Sequence, residues 1–181
     1  MSAQRTNHAI YNGYSQHFHP LSGISAITHK YIHSDDYLFF LGNTDPKKNV
    51  PRTLKAYSLY LKRSSRKRPL LIAGLTRRTK LDMILREQHI EEIKPYLSYP
   101  GYISNKDLAY LYNGAFVFLY TSLRESFGIP MLEAMACGTP VITGNTSPCL
   151  RSPEREDYWQ ILQRRRSSFL IAAARRRSSI P

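Results

Sequence analysis

Two carboxylates flank the start of a predicted helix. Glu125 and Glu133 lie eight residues apart, and Pro130 between them suits the first turn of a helix. One acid therefore lies in the loop before the helix and the other lies one turn into it. Each ionised carboxylate oxygen can accept two hydrogen bonds, so the pair suits a ligand with vicinal hydroxyls, such as a sugar or a ribose.

The turn between these acids favours an anion. Backbone amides of Phe127, Gly128 and Ile129 and the positive end of the helix dipole lie together there. A nucleotide-sugar diphosphate would satisfy both the acids and the amides, with each charge-assisted hydrogen bond contributing about 1.5 to 3 kcal/mol. The simpler alternative is that Glu125 and Glu133 are an ordinary loop acid and a solvated acid of the first helical turn.

The elements around this segment are predicted from its apolar pattern. The helix has apolar cover from Met131, Leu132 and Met135, Gly138 is expected to end it, and residues 141–143 form a short buried strand. Further strands are predicted at 37–41, 68–74 and 115–120, and helices at 50–61, 78–88 and 106–113. This alternation predicts a parallel sheet covered by helices on both faces.

The loop after the first strand carries the second candidate group. Ligands bind beyond the carboxyl ends of such strands, where Asn43, Lys48 and Glu125 are expected to lie. An ammonium at Lys48 would meet a pyrophosphate and offset charge on a departing nucleoside diphosphate. The alternative is an ordinary exposed lysine. Asn49 is predicted to cap the following helix, whose Val50, Leu54, Tyr57 and Leu61 share one face.

Four segments resemble one enzyme family, in the same order along the chain. The stretch from Glu125 to Glu133, with the continuation EAMACGTPV, resembles the E-x7-E signature of retaining GT-B glycosyltransferases, family 4 or glycosyl transferases group 1. Residues 37–49 resemble the first strand and phosphate loop of its donor domain, 70–74 its second strand, and 101–108 the loop that borders the base. The resemblance covers residues 10 to 147.

The resemblance implies roles for individual residues. Lys48 corresponds to the family's phosphate lysine, and Asn43 stands where the family often has arginine, so one cation is absent that Lys47 partly replaces. Glu125 would contact the transferred sugar and Glu133 the ribose. Lys48 and Glu125 are therefore the candidate catalytic residues, and no side chain qualifies as a general base or nucleophile.

Other donor-site positions follow by analogy with the family. Tyr102 and Ile103 would border the nucleobase, mainly through backbone groups and apolar contact, although either could equally belong to the core. Ser122 ends a strand near the site and would reach a phosphate or sugar oxygen, although a strand-end serine more often satisfies local backbone.

The implied architecture is one half of a GT-B fold, Rossmann-like and incomplete at its C-terminal end. Residues 1–36 are interpreted as the connection or hinge between domains and 37–147 as the donor-binding domain. The N-terminal acceptor domain of the family has no counterpart, so we expect the chain to be inactive alone. An inactive remnant of a glycosyltransferase gene is the alternative that keeps the fold.

Residues 148–181 form a basic tail without the family pattern, which we predict to be disordered and read in a shifted frame. Shifting the possible codons of 148–162 by one base permits the family text LPEVAGEGGLLADP. At three of these positions, spanning Asp157 to Gln160, the code allows only Leu, Leu and Ala. One lost base near Ser147 or Pro148 would explain this agreement.

Charge and composition limit the other function classes. The net charge is +13, of which +5 comes from the tail after residue 150. The remaining basicity would attract a nucleotide donor or an anionic membrane surface, and nucleic-acid binding is the rival from another class, disfavoured because no recognition motif is present. The absence of a long apolar run predicts a cytoplasmic protein, with peripheral membrane contact as the alternative. Cys137 and Cys149 have no metal spacing, so no metal or cofactor is expected.

Overall fold

The computed structural model describes residues 13–75, 77–125 and 127–144, together with the backbone of 160–162 and 169–173. Its strands are β1 (Tyr37–Leu41), β2 (Leu70–Ala73), β3 (Leu97–Gly101), β4 (Ala115–Tyr120), β5 (Val141–Gly144), β6 (Gln160–Leu162) and β7 (Phe169–Ala173). Its α-helices are α1 (Ser25–Thr28), α2 (Val50–Arg63), α3 (Arg78–Glu87), α4 (Asn105–Gly114) and α5 (Ile129–Ala136). Two 3₁₀ helices cover Pro46–Lys48 and Glu91–Tyr96.

The sheet has the order β3-β2-β1-β4-β5-β7-β6. The first five of these strands are parallel, and β7 pairs antiparallel with both β5 and β6. The predicted doubly covered parallel sheet is confirmed. Strands β1, β2 and β3 are added in one direction across the sheet, and β4 is then added on the other side of β1. The loops after the neighbouring strands β1 and β4 therefore lead to opposite sides of the sheet order. Such a switch point is where open α/β sheets bind ligands.

Two apolar clusters cover the two faces of this sheet. One face packs Phe39, Phe118 and Val141 against α4 and α5, and the other packs Leu38, Ile72 and Val117 against α2 and α3. On α2, the predicted stripe of Val50, Leu54, Tyr57 and Leu61 is buried. Because both faces are covered, the central strands are nearly continuous apolar runs, and the loops at the strand ends are where polar groups can meet a ligand.

Some elements differ from the sequence prediction. The sequence pattern did not predict β3 or the 3₁₀ helix before it. Pro95 and Pro100 interrupt the short apolar pattern in this segment. Asn49 occupies the N-cap position of α2, as predicted, but its backbone is left-handed with φ 60° and its side chain makes no capping hydrogen bond. That side chain instead contacts the loop after β4, as described below.

The two ends of the chain are described only in part. The predicted turn at residues 10–13 falls almost entirely outside the described residues, and so does most of the tail. Within the tail, however, the backbones of β6 and β7 form strands, which differs from the expected disorder at those positions. The apolar stretch Phe169–Ala173 can pair with the edge that β5 would otherwise leave open, which gives a physical reason for this difference.

Candidate functional site

Two of the predicted residues meet at the switch point of the sheet. The Lys48 ammonium lies in the loop after β1 and donates to Glu125 Oε1, in the loop after β4, across 2.5 Å. Their side chains are only 20% and 18% exposed. Neither loop could provide this contact alone, so the sheet order places the lysine and the carboxylate together.

Glu125 is held in its charged form. Partial burial acts to raise the pKa of its carboxyl, but hydrogen bonds from Lys48 and Ser122 and the charges of Lys48 and Lys47 outweigh burial and lower the pKa below its ordinary value. Ser122 is buried and directs its hydroxyl to this carboxylate. Ser122 therefore lies beside Glu125, and its predicted contact with a phosphate or sugar oxygen stays a prediction.

The loop that carries Lys48 is shaped by short-range hydrogen bonds. Asn43 is exposed, and its side-chain oxygen accepts from the Asp45 amide at 3.0 Å. Asp45 in turn accepts from the Lys47 amide at 3.0 Å and starts the 3₁₀ turn. The Lys47 ammonium lies 3.5 Å from Asp45, which partly neutralises the cation that was expected to replace the family's arginine.

The helix after Glu125 begins as its sequence predicts. Gly128 adopts φ 86°, a left-handed conformation that favours glycine, and Pro130 stands in the first turn of α5. Met131 and Met135 are buried, and Gly138 follows the helix end with φ 80°. Gly128 is buried, whereas Ile129 beside it is exposed. The turn 127–129 lies at the start of α5, where the helix dipole is positive.

Glu133 lies on the side of α5 that faces α4. It accepts a hydrogen bond from the phenol of Tyr112 at 3.3 Å and is partly buried. Burial raises the pKa of this carboxyl, and the Tyr112 hydrogen bond and the charge of nearby His17 offset only part of that rise. Glu133 is therefore closer to the protonated form than an exposed glutamate would be.

The two predicted base-contact residues have opposite exposures. Tyr102 is 80% exposed, whereas Ile103 is 5% exposed and belongs to the core cluster beneath α4. Ser104 then caps α4 by accepting from the Asp107 amide at 3.2 Å. The Tyr102 ring and the backbone of Ile103 are what this loop offers to a ligand.

Tyr112 and His17 are site neighbours that the sequence analysis did not identify. Tyr112 is fully buried on α4, and burial is the main reason that its pKa lies well above the ordinary value. His17 bonds Ser15 at 2.8 Å and the Asn105 carbonyl at 3.3 Å, so it anchors the segment before β1 to the start of α4. An aromatic residue with a hydroxyl in an otherwise apolar helix face was the available signal for Tyr112.

The described part of the chain offers no group of three or more His, Cys, Asp or Glu side chains that could bind a metal ion. Within the same residues, the structure contains no helix that is both long and apolar enough to span a bilayer. Cys137 is buried against α4, and burial raises the pKa of its thiol to about 12. Cys149 lies outside the described residues.

The parallel sheet, the lysine loop after β1 and the glutamate-flanked helix are compatible with the resemblance to GT-B glycosyltransferases noted from the sequence. Comparison with protein families agrees: residues 28–157 match the family described as "Glycosyl transferases group 1". The chain belongs to this family. The match begins within the range inferred from resemblance, residues 10 to 147, and runs ten residues past its end.

Individual relatives add detail. The chain is 35% identical over 111 residues to the O-antigen chain mannosyltransferase B of Escherichia coli, covering 61% of this chain and 29% of the relative. It is 29% identical over 136 residues to the O-antigen chain mannosyltransferase RfbU of Salmonella typhimurium, covering 70% and 37%. The chain thus spans about a third of the length of these relatives.

Solved structures confirm the fold. Anabaena Alr3699/HepE, in a complex with UDP, superimposes with a TM-score of 0.64 at 18% identity, covering 78% of this chain and 39% of that one. The glycosyltransferase WaaG, involved in lipopolysaccharide biosynthesis, superimposes with a TM-score of 0.62 at 17% identity, covering 77% and 38%. The fold is therefore that of a part of these GT-B structures, about two fifths of each chain.

Proposed function

We propose that residues 37–147 bind a nucleotide-diphospho-sugar and, as part of a complete enzyme, serve retaining transfer of a hexosyl group to a sugar or lipid-linked acceptor. The observation that carries this proposal is the contact between Lys48 and Glu125 above the junction of β1 and β4. It places one cation and one hydroxyl-binding carboxylate at the point where such sheets bind nucleotides. Family membership supports the same assignment.

In this proposal the diphosphate of the ligand replaces Glu125 as the partner of the Lys48 ammonium. Lys48 turns from Glu125 to the phosphates, and the turn formed by Phe127, Gly128 and Ile129 adds backbone amides at the helix dipole. Asn43 lies at the mouth of the same loop, and Ser122 is free to exchange its bond with Glu125 for a phosphate or sugar oxygen. These donors stabilise negative charge that develops as the nucleoside diphosphate departs.

The two glutamates take the hydroxyl groups of the donor. Glu125, released from Lys48, accepts from the transferred sugar, and Glu133 accepts from the ribose. Tyr102 and the backbone of Ile103 border the base. The configuration of the sugar is retained if the acceptor hydroxyl attacks on the face from which the phosphate departs. The departing phosphate then receives the proton of that hydroxyl. Lys48 and Glu125 act in this reaction by charge and position.

Mannose is the first sugar to test. Several relatives, including those from Escherichia coli and Salmonella typhimurium, are named as mannosyltransferases. HepE, a structural neighbour, is described in a complex with UDP, which supports a nucleotide as ligand. The donor is thus proposed as a nucleotide-diphospho-hexose, with the mannosyl donor first among those compared.

Calorimetric titration tests the proposal directly. The chain is titrated with GDP-, UDP- and ADP-hexoses. The titration with the nucleotide-hexose that binds is then repeated on Glu133→Gln. Glu91→Gln, an exposed acid on the 3₁₀ helix before β3, is the matched control. We expect heat for one nucleotide class, weakened in Glu133→Gln and unchanged in Glu91→Gln. No binding by any of the three classes, with the protein folded, would overturn the proposed function.

Turnover is proposed to need an acceptor domain that these residues do not provide. In GT-B enzymes a second domain closes over the donor, and residues 1–36 are proposed as the connection to it. Positioning of the acceptor contributes on the order of 7 to 11 kcal/mol to such reactions, so binding without transfer is expected from this chain alone. Rapid sugar transfer by the purified chain would contradict this part of the proposal.

The tail is proposed to begin where one base was lost near residue 147. The support for this proposal is the codon agreement over residues 148–162; the family match to residue 157 and the pairing of β7 with β5 do not follow from it. Sequencing the underlying DNA tests the idea, because restoring one base must give the text LPEVAGEGGLLADP in frame. If no single-base change gives that text, the shifted frame is excluded.

A further inference from the structure

Asn49 connects the two loops that form the candidate site. Its side-chain amide donates to the Thr121 carbonyl at 3.2 Å, and the residue is only 9% exposed. Asn49 immediately follows Lys48, and Thr121 is the first residue after β4. This hydrogen bond therefore joins the loop of the cation to the loop of Glu125 at their bases.

Thr53 reinforces the same junction from the first turns of α2. Its hydroxyl donates to the Asn49 carbonyl at 2.9 Å and lies 2.6 Å from the Thr121 hydroxyl. A hydroxyl carries one proton, so Thr121 must donate in the second contact if Thr53 donates in the first. The three side chains therefore form a continuous buried network from α2 to the end of β4.

A backbone hydrogen bond also joins the two loops, two residues before Glu125. The Leu123 amide donates to the Lys47 carbonyl at 2.7 Å. Two hydrogen bonds thus flank Lys48, one at Lys47 and one at Asn49. Their partners, Leu123 and Thr121, lie shortly before Glu125 in the sequence. With both ends of its peptide segment fixed, the Lys48 backbone has little freedom to withdraw from the carboxylate.

The conformation of Asn49 indicates that this position serves the junction. It has φ 60° at the start of α2, where a side-chain cap would normally stabilise a helix, yet its amide is directed away from the helix to Thr121. Among residues with a side chain, asparagine tolerates the left-handed region best. Asparagine therefore meets two demands here, the tight turn after Lys48 and a donor aimed at β4.

We propose that Asn49, supported by Thr53 and Thr121, is a positioning residue of the donor site that fixes the Lys48 loop against the Glu125 loop. The functional half of this inference rests on the proposed nucleotide-sugar binding. The positional half concerns only the distance between an ammonium and a carboxylate and is measurable without any nucleotide. Depression of the Glu125 pKa by Lys48 reports that distance.

Two variants and two controls test the inference. Asn49→Gly keeps the left-handed turn and removes the donor, and Thr53→Val removes the hydroxyl while keeping the shape. Thr53→Ser restores the hydroxyl and is expected to restore wild-type behaviour. Thr139→Val is the matched control, because Thr139 also directs a buried hydroxyl to a backbone carbonyl, that of Tyr112, away from both loops.

The first readout is the titration of Glu125 by carboxyl-resolved NMR on each folded variant, without nucleotide. We expect the pKa of Glu125 to rise in Asn49→Gly and Thr53→Val, and to stay at the wild-type value in Thr53→Ser and Thr139→Val. If Asn49→Gly does not fold, the Thr53 pair gives the answer. A wild-type Glu125 titration in both Asn49→Gly and Thr53→Val would overturn the inference.

The second readout is nucleotide affinity by calorimetry with the mannosyl donor GDP-mannose, or with whichever nucleotide-hexose binds the wild type. We expect affinity to fall about tenfold in Asn49→Gly and Thr53→Val, the amount that corresponds to one lost hydrogen bond at the site. Unchanged affinity would overturn the functional half. Failure of the wild type to bind any nucleotide would instead overturn the proposed function, while the NMR titration still decides the positional half.

Discussion

The two glutamates around α5 lie in opposite electrostatic environments. Glu125 accepts from an ammonium and a hydroxyl, and its pKa is lowered although burial opposes this. Glu133 faces a buried phenol on α4, and burial raises its pKa despite that hydrogen bond. Eight residues apart in sequence, the first is fixed as an anion and the second is inclined to hold a proton.

This difference follows from which element faces each acid. The loop side of α5 meets the lysine loop after β1, whereas the helix side meets α4, whose surface there is aromatic and apolar. The negative charge is therefore more strongly stabilised at Glu125 than at Glu133. Glu133 is better suited to a neutral partner such as a hydroxyl, to which it can donate or accept according to its protonation.

Replacing the ammonium should produce the largest change on the Glu125 side. Lys48→Ala removes the proposed phosphate contact, so nucleotide-sugar affinity should fall by about 1.5 to 3 kcal/mol, roughly ten- to a hundredfold. Calorimetric titration measures the fall. Lys47→Ala is the matched control, because this neighbouring lysine is paired with Asp45 at the surface. Equal losses in the two variants would mean that only general positive charge matters.

The sequence predicted the parallel sheet well, and for a physical reason. Strands covered on both faces must be apolar throughout, so Tyr37–Leu41 and Ala115–Tyr120 were predicted with the bounds that the structure shows. β3 was missed because it has no such run: its residues are half-buried and include Pro100. Local pattern identifies central strands and fails at the edge, where pairing partners decide.

Removing the charge of Glu125 should have the next largest effect. A carboxyl whose pKa is lowered on folding stabilises the folded state above its unfolded pKa, and this stabilisation is lost as pH falls through the folded pKa. Glu125→Gln should therefore lose about 1 kcal/mol at neutral pH, because Lys48 loses its partner. The loss should shrink as the pH is lowered below about 4.

Urea denaturation at several pH values measures this difference. Glu91→Gln, which removes an exposed acid elsewhere, provides the reference for a general change in net charge. A destabilisation of Glu125→Gln that stays constant down to acid pH would show that the Lys48 pair does not depend on ionisation of the carboxyl. The proposed anion at this position would then be excluded.

The site was predictable only where it depends on types of residue. Lys48, Glu125 and the Gly128 turn follow from spacing, and the structure brings Lys48 and Glu125 into contact. The hydrogen-bond partners of Glu133 and Asn49 were not predictable, because they come from Tyr112 and Thr121, and nothing local in the sequence shows that these residues are adjacent. Those pairings depend on tertiary packing alone.

On the Glu133 side, Tyr112→Phe should have a smaller effect. It removes one long hydrogen bond, so we expect a loss of about 0.5 kcal/mol in the free energy of unfolding. A carboxyl with a raised pKa favours folding while protonated, and that advantage disappears as pH rises through the folded pKa. The Tyr112 hydrogen bond acts in the opposite direction to burial: it lowers the Glu133 pKa and so stabilises the ionised carboxylate. The loss in Tyr112→Phe should for that reason be larger at neutral and higher pH and smaller in acid.

Urea denaturation of Tyr112→Phe across pH is compared with Tyr37→Phe. Tyr37 is likewise buried and donates to a backbone carbonyl, that of Leu111, with no carboxylate as its partner. Its variant should lose stability by an amount that does not vary between acid and neutral pH. Parallel pH profiles for the two variants would show that Glu133 does not ionise against Tyr112.

His17 should contribute the smallest effect and separates charge from hydrogen bonding at Glu133. Its positive charge lowers the pKa of that carboxyl without a direct bond, so His17→Gln should raise the Glu133 pKa slightly and leave Glu125 unchanged. Carboxyl-resolved NMR follows both acids in one sample, with His29→Gln as the control, because His29 pairs with exposed Asp35. Since the segment that carries His17 is the proposed connection between domains, a shift confined to Glu133 would show that this connection acts on the helix side of the site alone. A change in the Glu125 pKa as well would mean that the same charge acts on both carboxyls. The two acids would then not lie in separate electrostatic environments.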